Sequence, residues 1–85
     1  MKFQVEVKIM PHKELLDPQG KAVNQGLHKM GMNNIDGLRI GKLIQMNIDA
    51  TSNSEAEEIV KNACEKLLVN KIMEQYTYTI AAIES

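Results

Sequence analysis

Residues Lys2 to Ile9 alternate without exception, with Phe3, Val5, Val7 and Ile9 on one parity and Lys2, Gln4, Glu6 and Lys8 on the other. Period two places the first set on one face of a strand and the second on the opposite face, so the chain is committed to a sheet with one buried and one wet side. The rest of the sequence must supply apolar material to cover the buried side. Pro11 has no amide proton for a ladder, so the strand should stop before it, and residues 11–16 read as a loop.

Asp17 followed by Pro18 is a helix start. The carboxylate can accept amide protons of the first turn, and proline at the first helical position gives up a donor that had no partner. Val23, Leu27 and Met30, with Ala22 beside them, make one apolar stripe, and Gly31 can take the left-handed conformation that closes the last turn. Gly20 and Gly26 each cost such a helix about 1 kcal/mol relative to alanine. Between Leu38 and Ala50 five apolar residues, Leu38, Ile40, Ile44, Met46 and Ile48, fall on even positions. A two-residue hairpin at Gly41-Lys42 would split that set between two faces, whereas one long strand kinked or bulged at Gly41 keeps it together. We therefore expect the long strand.

Thr51 to Ser54 is a polar stop in which both Ser52 with Glu55 and Ser54 with Glu57 fit a capping box. The helix that follows should bury Ala56, Ile59, Val60, Ala63, Cys64, Leu67 and Leu68, with Asn70 as its C-terminal cap. Tyr76 to Ile83 then reads as a last strand. The order strand, helix, long strand, helix, strand predicts an α+β two-layer sandwich of ferredoxin-like plan, mostly antiparallel, with two helices on one face.

At 85 residues the sequence reads as a single domain, 1–85. Such a domain buries only about 60–65% of its unfolded surface, so self-association into a dimer or tetramer is expected. The free end of a long middle strand would expose backbone groups for a second subunit to cover. Ten basic residues against 11 acidic ones give a net charge of -1, which supplies no field for nucleic acid. No run approaches the roughly 20 apolar residues of a membrane span. A strand pattern that begins at Met1 leaves no signal peptide, and the single cysteine, Cys64, cannot form an internal disulfide. The expected compartment is the cytoplasm.

His12 and His28 have no ligand or catalytic partner at suitable spacing. Cys64 falls on an apolar helix face, and Glu55, Glu57 and Glu58 are explained by the positive end of a helix. Gly37 to Lys42 has the wrong glycine spacing for a phosphate loop. Arg39 and Lys42 are two cations flanking the expected kink, and they fit edge-protecting charges equally well.

Three segments, Leu16-Asp17-Pro18-Gln19-Gly20-Lys21-Ala22, Leu38-Arg39-Ile40-Gly41-Lys42 and Cys64-Glu65-Lys66-Leu67-Leu68-Val69-Asn70, resemble in order and spacing the signature stretches of the PurS family. The first is the most specific, and the resemblance spans essentially the whole chain. It implies a non-catalytic small subunit of phosphoribosylformylglycinamidine (FGAM) synthase in purine biosynthesis. In that role it would dock the glutaminase subunit PurQ with the synthetase subunit PurL and aid ammonia transfer. It implies no cofactor in this subunit, while the complex uses ATP, Mg and glutamine. It marks Asp17, Pro18, Gln19, Gly20 and Lys21 at the first helix start, and Arg39, Gly41 and Lys42 on the long strand, as candidate subunit contacts. Asp17, Pro18 and Gly41 are explained equally by backbone requirements.

An ACT-like dimeric regulatory module binding a small metabolite is the rival of similar architecture, and a thermal shift with a small ligand would reveal it. A phosphocarrier resembling HPr would need an arginine after His12, and an RNA-binding sheet would need more exposed aromatics than Phe3.

Overall fold

The alternating segment forms the central strand of the sheet. A computed structural model describes residues 1–13 and 17–83, and the loop reading of residues 14–16 lies outside them. The elements are β1 (Lys2–Pro11), α1 (Pro18–Lys29), β2 (Lys42–Asp49), α2 (Asn53–Ala63) and β3 (Glu74–Ile83). A wide π-type turn, Cys64–Leu68, prolongs α2. The strands lie in the order β2-β1-β3, antiparallel throughout.

The register sets Val5 between Met46 and Ile80, and Val7 between Ile44 and Tyr78. These residues share one face, and Phe3, Val5, Val7 and Ile9 are at most 1% exposed there. α2 lies on that face through Ala56 and Val60, and Cys64 continues the same four-residue spacing into the wide turn. Among the described residues β2 and β3 each keep an open outer edge, and that of β3 carries no charged residue from Gln75 to Ile83.

α2 is capped at Ser52, whose Oγ accepts the Glu55 amide at 3.2 Å, while the Glu55 carboxylate reaches one residue further back, to the Thr51 hydroxyl at 2.8 Å. α1 closes as expected. Gly31 has φ +94°, its amide donates to the His28 carbonyl, and the Met32 amide donates to that of Leu27, a Schellman ending.

The middle strand differs in its start. β2 begins at Lys42, and residues 38–41 approach it without ladder bonds. The parity of the bonds explains this. The Ala50 amide donates to the Met1 carbonyl, and that of His12 to the Met73 carbonyl, so odd residues of β1 face β2 and even ones face β3. Pro11 therefore continues β1 on the β3 side, where its partner is Glu74. Its missing proton falls on the β2 side, opposite Ile40, and pairing with β2 ends just short of it. The hairpin alternative is not formed, because β2 pairs with β1 and does not fold back on residues 38–41.

α1 does not lie on the sheet as α2 does. It leans instead on the returning segment 35–40, and Val23 and Met30 stay 44% and 72% exposed. The molecule measures 51 × 29 × 14 Å, with a radius of gyration of 16.7 Å, against about 12 Å for a compact domain of this length. Leu67, expected inside, is 85% exposed. The wide turn accommodates one more residue than an α-turn, which rotates Leu67 outward and leaves Leu68 against the core. Asn70 does not cap a helix carbonyl; its side chain accepts the Ile72 amide at 3.2 Å and opens the turn into β3.

Candidate functional site

The end of the sheet where β1 stops, β2 starts and α1 begins holds a cleft of about 330 Å³ lined by Ile9, Pro11, Asp17, Gln19, Ile40, Gly41, Lys42 and Glu74. Four of the eight candidate contacts, Asp17, Gln19, Gly41 and Lys42, thus meet in one place. Arg39 joins them by donating to the Pro11 carbonyl. Gly20 is buried behind Asp17, while Pro18 and Lys21 are exposed on α1 outside the lining.

Asp17, Arg39 and Glu74 each serve a backbone group. Asp17 caps α1 by accepting the Gly20 amide at 3.0 Å on one carboxylate oxygen, and accepts the Ile40 amide at 3.0 Å on the other. Ile40 lost its ladder acceptor to the stop at Pro11, and Asp17 replaces it. The Pro11 carbonyl, likewise without a ladder donor, takes the Arg39 guanidinium. Gly41 leaves no room for a side chain, because a Cβ there would sit 2.3 Å from the Ile9 carbonyl oxygen. Lys42 reaches across the sheet end to Glu74 at 3.1 Å.

Sequence reading missed Glu74, which also accepts the Asn70 amide at 2.9 Å. The available signal was register, since Ile9 pairs with Lys42 and Pro11 with Glu74. Both histidines serve the backbone: the Nε2 of His12 donates to the Lys71 carbonyl at 3.0 Å and that of His28 to the Ile35 carbonyl at 2.6 Å. Burial, with Glu65 beside it, pushes the Cys64 thiol up, away from the reactive thiolate. Among the described residues no three His, Cys, Asp or Glu side chains gather as a metal site would require.

The Gly20 amide, and then that of Ile40, hold the Asp17 carboxyl below its ordinary value. The Asn70 amide, and then Lys42, do the same for Glu74. A depressed carboxyl stabilises the fold above its unfolded pKa and loses that contribution as pH falls through the folded one. The urea midpoint should therefore hold level from about pH 7 to about pH 5 and decline below about pH 4. Asp17→Asn with Glu74→Gln should flatten the decline. A double variant with the wild-type profile would show that these carboxyls do not carry it.

A three-stranded antiparallel sheet with one face covered by a helix defines a small α+β fold. The family model for PurS, phosphoribosylformylglycinamidine (FGAM) synthase, matches residues 4–82, and the chain belongs to that family. It is 37% identical over 81 residues to the phosphoribosylformylglycinamidine synthase subunit PurS of Bacillus subtilis, covering 95% of each chain. The solved Bacillus subtilis PurS superposes with a TM-score of 0.86 at 38% identity, covering 94% of this chain and 99% of that one. A chain of the Thermotoga maritima PurLQS structure superposes with a TM-score of 0.89 at 31% identity, covering 95% and 99%.

Proposed function

We propose that this chain is the small, non-catalytic subunit of an FGAM synthase complex in purine biosynthesis, docking a PurQ glutaminase with a PurL synthetase and aiding the passage of ammonia between them. The observation that carries the reading is the superposition, over nearly all of both chains, on a chain of the Thermotoga maritima PurLQS structure. The physical need is plain. Ammonia released into bulk water is diluted and protonated to an unreactive ion, so its source and its acceptor must be held in fixed geometry.

A sheet whose two outer edges are open and whose elongated body leaves α1 uncovered has surface to give to partners and to copies of itself. Self-association into a dimer or tetramer belongs to the same reading. So does a cytoplasmic location; among the described residues no helix is long and apolar enough to cross a membrane. ATP, Mg and glutamine are assigned to the large subunits, and no cofactor to this one.

The test is reconstitution. The PurL and PurQ of the source organism are mixed with and without this protein, and glutamine-dependent amidine formation is followed. We expect the rate to rise at least about tenfold with it, as docking replaces diffusion, while ammonia-dependent formation by PurL alone stays unchanged. Equal glutamine-dependent rates with and without the protein would overturn the proposal.

A further inference from the structure

The buried apolar side chains divide the molecule unevenly. They run from Phe3 to Ile9 and from Ile48 to Val69, and among the described residues none lies between 10 and 47. α1 and the segment returning from it are nonetheless tied to each other. The Nε2 of His28 donates to the Ile35 carbonyl, Gly20 packs so closely that a Cβ would lie 2.8 Å from the Leu38 carbonyl oxygen, and the Asp17 carboxylate bridges the Gly20 and Ile40 amides. Asn24 Oδ1 is buried within this unit with no hydrogen-bond donor among the described residues, a cost to its closed form. Toward the sheet, the ties among the described residues include the Arg39 guanidinium on the Pro11 carbonyl and the close seat of Gly41 on Ile9.

We infer that residues 18–41 form an arm that opens as one cooperative unit while the sheet and α2 stay folded, with Asp17 clasping its base and Arg39 fastening it to β1. Regions with few buried apolar contacts open locally at far lower free energy than the core, and in contiguous units. Asp17 makes the unit contiguous, because one carboxylate serves the start of α1 and the entry to β2 together. Such an arm lets the scaffold change the angle of one surface without disturbing the sheet.

Hydrogen exchange on the intact chain, resolved by segment at one protein concentration, tests this. In the wild type, the hydrogen-bonded amides of 20–32 and that of Ile40 should exchange at a common rate at least about a hundredfold faster than those of β1 and α2. Asp17→Ala should speed both arm segments together by about fivefold or more, and leave residues 3–9 and 56–64 unchanged. Arg39→Ala should do the same without touching the helix cap. Asp17→Asn keeps a neutral acceptor and should give the same pattern at smaller amplitude, which covers the case of an unfolded alanine variant. A single rate for arm and body in the wild type would overturn the inference. So would α1 speeding up alone while the Ile40 amide keeps its protection.

Discussion

Phe3→Ala is expected to lower the stability of the chain by about 3–5 kcal/mol, close to the whole margin of a domain of this size. Phe3 is 1% exposed on the central strand, where Ile48 and Ala82 are its partners on either side. Above the sheet the core is supplied by α2 and the stretch that follows it, Cys64, Leu68 and Val69, which leaves little to relax into the space. The chain has no tryptophan, so far-UV circular dichroism through a urea titration is the suitable probe. It should be run at fixed protein concentration, because association shifts the midpoint. Val23→Ala removes a side chain 44% exposed on α1 and should change the midpoint little. Similar losses at the two positions would contradict a core confined to one face of the sheet.

The second large effect is at Gly41. Alanine there places a methyl group 2.3 Å from the Ile9 carbonyl oxygen and equally near the Met10 sulfur. The sulfur can swing away, but the carbonyl belongs to the central strand and cannot. The expected cost is about 1–3 kcal/mol, with amide protection lost first at Ile40 and Lys42. Gly26→Ala offers the contrast, since nothing lies within 4 Å of a Cβ there. On the exposed side of α1 it should gain about 0.5–1 kcal/mol from helix propensity. Two glycine-to-alanine changes of opposite sign in one short chain separate a steric requirement from a conformational one, and thermal unfolding of the two variants reads it directly.

Much of this architecture was legible in the residues themselves. The parity of Phe3 to Ile9 and of Ile44 to Ile48 marked the inner face, Asp17-Pro18 and Ser52 with Glu55 marked both helix starts, and Gly31 marked an end. These are local signals, carried by spacing or by a single side-chain bond. What was not legible depended on groups far apart in sequence. Pro11 ends the β1–β2 ladder only because it falls opposite Ile40, a fact of register. Asp17 was read as a cap, but its second oxygen serves an amide 23 positions away. Lys42 finds Glu74 across two strand ends. Leu67 faces outward because the helix widens at Cys64, and nothing in the apolar spacing of Ile59, Ala63 and Leu67 signals a change of pitch. α1 carries an apolar stripe that reads as core, yet in the single chain it leans on the returning segment and leaves the stripe open.

The uncharged outer edge of β3 has a consequence for the cell. From Gln75 to Ile83 it offers a row of backbone donors and acceptors with neither a charge nor a proline to repel another chain. That is the arrangement from which strands stack into fibres. Synthesis of this protein beyond the supply of whatever occupies that row carries an aggregation hazard, and keeping its expression in proportion becomes a matter of solubility as much as of flux.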